Sequence, residues 1–372
     1  CCVVMDIVGF PVRSLLPLQT HPKSLQIAED GGDPVPERPG HAVGLLEAEP
    51  ELQLRARGRD DAHQRWERWA AVLLIGLAAF PGSARAQQVG DPDFAPKLSA
   101  PAFRRGEGPR IALDEAHFNF HTLSGRFQAF ASLLRLDGFV IEGSGTPFTP
   151  ESLTGVNLLV IANALNARNG TGGDWSLPTP SAFSAAEIAV VRGWVERGGA
   201  LLLIADHMPF PGAAADLAAS FGFELNNGFA IDPSARGPLV FRRGDRSLAT
   251  HPVTVGRGAD EQVDSIATFT GEAFRVPAAA TSILTFPAGY VSLMPNVAWE
   301  FGPATPKVDI VGWSQGAVAE FGRGRVAVFG EAAMFTAQRA GPERAPMGMN
   351  APIASQNPQF VANLVRWLIR AR

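Results

Sequence analysis

Leu201 to Phe221, LLLIADHMPFPGAAADLAASF, decides how the rest of the chain is read. An unbroken apolar run ends in Asp206 and His207, turns between Pro209 and Gly212, and passes into the helix-forming AAADLAAS. Runs without alternation suit strands buried on both faces, as in parallel sheets flanked by helices. In such sheets ligands bind beyond the carboxyl ends of the strands. Asp206 and His207 stand at that end, so the stretch is both a central strand and a candidate site.

Working outward, the neighbouring segments repeat the pattern. Arg110 to Asp114 (RIALD) and Asn157 to Ile161 (NLLVI) read as further strands, and Phe139 to Glu142 as a short one. Phe127, Phe130, Leu133, Leu134 and Leu136 fall on a helical period that stops at Gly138. Ser184 and Glu187 form a capping box ahead of a helix that ends at Gly198 and Gly199. Asn163 to Pro180 is a long Asn-, Gly- and Pro-rich loop, read equally as a lid or as a solvated insertion. From Leu239 to Gly312 short β-prone pieces predict an insertion or an antiparallel extension, and AVAEFGRGRVAVFGE (317–331) predicts a hairpin. The last helix is expected to start at Asn357 as N-cap, with Arg366 complementing its dipole.

The front of the chain is of another kind. Residues 1–64 mix Pro, Arg, Gly and acidic residues without periodicity, and the chain opens on Cys1 and Cys2, its two cysteines. They are expected to be a disordered tail or a spurious extension. RWERWAAVLLIGLAAFPGSARAQQ, from Arg65, has the layout of a signal peptide over 65–86, with Ala84 and Ala86 before a cleavage point at Gln87. Its apolar run of about 11 residues falls short of the roughly 20 that span a bilayer. The mature chain is then expected to be periplasmic or secreted, free of cysteine and without a membrane anchor, with 87–109 a linker and 110–372 the folded domain. Of 372 residues 46% are hydrophobic and 18% charged, and the net charge of −4 gives no footprint for nucleic acid.

RIALDEAHFNFH (110–121), WVERGGALLLIADH (194–207) and GRGRVAVFGEAAMF (322–335) together resemble the class I glutamine-amidotransferase-like superfamily. They are most similar to an uncharacterised bacterial branch related to domains of gliding-associated transporter proteins and intraflagellar-transport proteins. The resemblance implies an α/β fold, a flavodoxin-like three-layer sandwich with a mostly parallel sheet and a β-rich insertion. True amidotransferases of that superfamily place a cysteine on a strand-to-helix elbow. The matching turn here holds Asp206 and His207, so the resemblance implies the fold without the glutaminase activity.

Three clusters follow predicted strands: Asp114, Glu115, His117, Asn119 and His121; Asp206 and His207; and Glu331. Imidazoles and carboxylates in company can hold a metal, serve as acid and base, or simply cap turns. If the strands lie side by side, Asp114, Glu115, His117, Asp206, His207 and Glu331 converge on one crevice, with Asn350 and the 163–180 loop at its rim. GWSQG (312–316) satisfies the nucleophile-elbow expression, but a hairpin follows it where the elbow needs a helix, so Ser314 is read as a bend. The expectation is a domain that binds a small polar ligand, a sugar or peptide fragment. The alternative is an acid/base or metal-assisted hydrolase using Asp206, His207 and Glu331. Neither a metal nor another cofactor is specified by these residues.

Overall fold

A computed structural model describes residues 88–371, apart from Ser99, Gly172 and Arg236. The expected N-terminal tail and the signal-peptide pattern lie outside the described residues. Among the described residues no helix is long and apolar enough to cross a membrane.

The fold is mixed α/β around one large mixed sheet. Its strands are β1 (Arg110–Asp114), β2 (Val140–Ser144), β3 (Leu158–Ala162), β4 (Ala200–Ile204), β5 (Ser314–Phe321) and β6 (Gly324–Phe329). They run in the order β2-β1-β3-β4-β6-β5, parallel from β2 through β6. β5 closes antiparallel on β6 as the expected hairpin, turning at Gly322 with φ +57°. Beyond β5 the sheet continues through short antiparallel pieces at Phe274–Arg275 and Glu224–Leu225, and Thr281–Thr285 also pairs with β5.

β3 and β4 are buried at every position, as their unalternating sequences require. Their side chains feed two separate cores. Val160, Leu202 and Ile204 pack with Phe130 and Leu134 of α1 (Gln128–Leu136). Leu159, Ile161, Leu201 and Leu203 pack with Val191 and Val195 of α2 (Ala185–Glu196) and Leu217 of α3 (Phe210–Ser220). Each fully buried Leu or Ile is worth about 1.5–3 kcal/mol of transfer free energy. A carboxylate at Leu202 would break both the strand and its core.

Several local readings are corrected. The first helix begins at Gln128, because residues 123–127 form turns, and Leu136 is 42% exposed and leaves the apolar stripe. Gly138 takes φ +95°, as the stop signal predicts. α4 (Asn357–Leu368) has Gln356 at its N-cap position. Asn357 instead spends its side chain on strand backbone, accepting from Ala267 N and donating to Ala267 O. Arg366 stands in the last turn of α4, as expected. It is 3% exposed and binds Asp137 and Glu261.

The Pro-rich stretch ahead of β1 is held against the domain. Val89–Gly90 pairs antiparallel with Ala337–Ala340, and Phe103 packs edge-on against Phe139 at 5.3 Å. The β-rich part contains a three-stranded sheet of Phe229–Ile231, Val291–Leu293 and Lys307–Asp309, besides the short extensions of the main sheet. Its following segment meets the 163–180 loop: Leu177 N donates to Asn296 O at 2.8 Å and Ala298 N to Trp175 O at 3.0 Å.

Candidate functional site

β1, β3, β4 and β6 end along one edge, and the residues just past them form two different assemblies. The first follows β1. Asp114 is fully buried and accepts from His117 Nδ1 at 2.9 Å and from Asn119 Nδ2 at 2.9 Å. His117 Nε2 reaches Glu187 Oε1 at 2.9 Å, and Asn119 Oδ1 accepts His117 N at 3.0 Å. Phe148 and Phe183 enclose the ring at 4.7 and 4.8 Å. Burial alone would lower the His117 pKa, but hydrogen bonds and charge from Asp114, then Glu187, outweigh it and raise the value. Against its own burial, Glu187 is held down to about 2 by Ser184, with His117 adding to the effect. The same Glu187 completes the capping box of α2. Both imidazole nitrogens are thus occupied. This assembly ties the β1 loop to the start of α2.

The second assembly follows β3, β4 and β6. Asn163 ends β3 with φ +49°, a left-handed conformation that Asn tolerates better than most side chains. It is 1% exposed and acts as a clasp. Its Oδ1 accepts Asp206 N at 2.9 Å, its carbonyl accepts Phe120 N at 3.0 Å, and its N donates to Ile204 O at 2.9 Å. Asp206 Oδ1 accepts His207 N at 2.8 Å and the Thr270 hydroxyl at 3.1 Å. His207 Nδ1 lies 2.8 Å from Met208 O, so it carries the proton and the ring's Nε2 is left as an acceptor. Phe229 stacks on that ring at 4.8 Å and 10°, and Trp299 meets it edge-on at 4.6 Å.

A cavity of about 20 Å³ opens beside these groups, lined by His121, Asn163, Asp206, His207, Thr270 and Gln338, with aromatic walls from Phe120, Trp175 and Phe210. That is room for about one water. His121 stacks on Phe127 at 4.9 Å, and its buried Nδ1 has no partner. Burial, then Arg126 and His207, press its pKa well below the usual histidine value.

The expected convergence is therefore partial. Asp206, His207 and His121 share the cavity. Asp114, His117 and Asn119 do not line it, because their polar atoms satisfy one another. Glu115 turns back to accept Leu123 N at 2.7 Å. Asn350 stands off the rim and donates to Asp91 and to the Gln338 carbonyl. Glu331 lies behind the cavity wall, accepting from Ala333 N and Met334 N at 2.9 and 2.7 Å, where it caps the turn at 333–335. Burial, then the neighbouring Asp206, drive its pKa well up.

Glu272, Thr270 and Gln338 were not singled out from the sequence. Glu272 is fully buried, and burial pushes its pKa well up, with Asp206 adding to the rise. Thr270 and Glu272 are bonded to Gln315 and Gly330, far along the chain, and Gln338 sits in a short hairpin with Met347, where its residue type carries no signal. Among the described residues no group of three or more His, Cys, Asp or Glu side chains is placed to hold a metal ion. Ser314 is 1% exposed at the start of β5 and hydrogen-bonds Ser282, so it is no elbow nucleophile.

No protein-family model matches the chain, and no curated protein does. Among solved structures the chain is similar to an N-terminal domain described as mmIFT52, at 15% identity and a TM-score of 0.49, over 70% of this chain and 97% of that one. A ThuA-like protein from Bacteroides uniformis is 14% identical with a TM-score of 0.40, over 75% and 95%. A cytoplasmic protein from Salmonella typhimurium is 13% identical with a TM-score of 0.42, over 70% and 98%. These scores lie below 0.5, so no functional argument passes from them to this chain.

Proposed function

We propose that the domain binds the polar end of a small ligand, a sugar or peptide fragment, in the cavity between Asp206, His207 and His121. The observation that carries this is the His207 ring. Its Nδ1 is committed to the Met208 carbonyl, and its Nε2 makes no hydrogen bond among the described residues. Buried polar atoms are nearly always paired, yet Gln338 Oε1 and His121 Nδ1 on the same cavity have no partner. An unpaired one on a cavity is a position for a ligand or water.

A hydrolytic reading draws support from the Thr270 hydroxyl bonded to Asp206 in the same cavity. In it Asp206 and His207 serve as base and acid. Glu331 drops out, because both its oxygens accept backbone N–H groups. An ester, glycoside and peptide panel run beside His207→Ala separates the two: turnover abolished by the substitution favours the enzyme, and a folded, inert protein favours binding.

On fold, we read the domain as flavodoxin-like and amidotransferase-like. The parallel strands taken in sequence order have the spatial order 2-1-3-4-5, which is that of flavodoxin-like sheets. Export to the periplasm or medium rests on the 65–86 pattern alone, and mass spectrometry of the processed N-terminus tests it. A terminus away from Gln87 would sink the cleavage assignment.

A further inference from the structure

The cavity beside His207 is rich in acceptors and holds a carboxylate that lacks a cation. Gln338 Nε2 lies 2.8 Å from the Thr336 hydroxyl, whose own proton goes to Ala333 O at 2.8 Å. The amide orientation is thereby fixed, with the NH2 toward Thr336. Its Oε1 is left without a partner in a residue 2% exposed. His207 Nε2 is an acceptor for the reason given above. Asp206 Oδ2 receives one long contact, from Ala332 N at 3.4 Å. Among the described residues no Lys or Arg pairs with Asp206, and burial drives the pKa values of Glu272 and Glu331 behind it well up. A buried carboxylate without a counter-ion is costly. Arg126 does not supply one: its guanidinium lies over the Phe120 ring at 4.2 Å and donates to Gln88 O.

We infer, resting on the ligand-binding reading above, that the group received in this cavity is the protonated primary amine of a small ligand, as on a peptide terminus or an amino sugar. An ammonium carries three N–H donors. Asp206, His207 and Gln338 offer three acceptors, and the rings of Trp175 and Phe210 are favourable neighbours for a cation. The volume of about 20 Å³ suits a head group the size of one water and excludes a sugar ring. A carboxylate in the same place would meet Asp206 and the Gln338 carbonyl with like polarity.

The test is a titration of the full chain, ¹⁵N-labelled at histidine, with methylammonium, acetate and methanol in turn, reading the ring nitrogens of His207. Methylammonium is expected to shift His207 Nε2 where acetate and methanol do not. Asp206→Asn keeps the acceptor for His207 N and Thr270 but removes the charge, and is expected to weaken methylammonium binding by about tenfold or more. Gln338→Leu, a second variant distant from that turn, is expected to weaken it by a smaller factor, and circular dichroism checks that each variant is folded. Acetate or methanol acting as strongly as methylammonium would overturn the amine and leave the binding cavity standing. Methylammonium binding that survives both substitutions would also overturn it. If none of the three probes moves His207, the binding reading falls together with this inference.

Discussion

The turn after β1 and the turn after β4 each place an aspartate and a histidine within three residues of one another at the same sheet edge, yet they have opposite fates. Around His117 every ring nitrogen and carboxylate oxygen finds a partner, and the partner Glu187 comes from the neighbouring helix. Around His207 one ring nitrogen is bonded and the other is not, and Gln338 Oε1 and His121 Nδ1 are likewise unpaired. Residue types alone do not separate the two. Satisfaction does: a closed polar network holds structure together, and an open one is available to something else.

The largest test of that contrast is His117→Ala. It leaves the buried Asp114 with only Asn119 and Ala116 N as donors and no imidazole partner, and removing one partner of such a cluster costs about 3–5 kcal/mol. His207→Ala loses an aromatic stack and one hydrogen bond, about 1–2 kcal/mol. Urea unfolding of the two variants should rank them in that order, and the reverse ranking would break the comparison.

Next is Asn163→Ala, which leaves the Asp206 amide unpaired and puts alanine in a left-handed conformation. A loss of about 1–3 kcal/mol is expected from the unpaired group, together with weaker ligand binding at His207. A stability change without a binding change would show that Asn163 positions the fold and not the cavity.

The histidines also set opposite pH slopes. His117 has a raised folded pKa, so its stabilisation is complete below about 6.5, the unfolded value, and is lost as pH rises through the folded value. His121 has a folded pKa well below 6.5, so the unfolded chain binds more protons there and stability falls as pH drops below 6.5. Each slope is at most about 1.4 kcal/mol per pH unit for one proton. Denaturation series across pH should lose the upper slope in His117→Gln and the lower one in His121→Phe.

His121→Phe is also the smallest expected change at constant pH. It removes a buried unpaired nitrogen while preserving the stack on Phe127, so stability should stay within about 1 kcal/mol of the parent, on the gaining side.

How much of this was legible in the sequence follows from the range of each interaction. β3 and β4 could be read because continuous burial writes itself into consecutive residues. The Ser184–Glu187 box could be read because its partners are three residues apart. The second duty of Glu187, toward His117, could not, since that contact joins residues 70 apart. Asp206 and His207 were found because strand ends are marked by the end of an apolar run. Thr270 and Glu272 were missed because they reach the same edge from the β-rich part, and Gln338 because a glutamine in a short hairpin with Met347 carries no marker of its own. Arg366 could be placed in the last helical turn, but its ion pairs with Asp137 and Glu261 could not be read, since they join residues 229 and 105 apart.

The backbone bonds that join Leu177 to Asn296 and Trp175 to Ala298 have a bearing on time as well as on shape. Trp175 walls the cavity, and Trp299, next after Ala298, covers His207, so the two covering segments are fastened to each other. Opening this wall takes both segments in concert, so its rate is set by how often the seam parts.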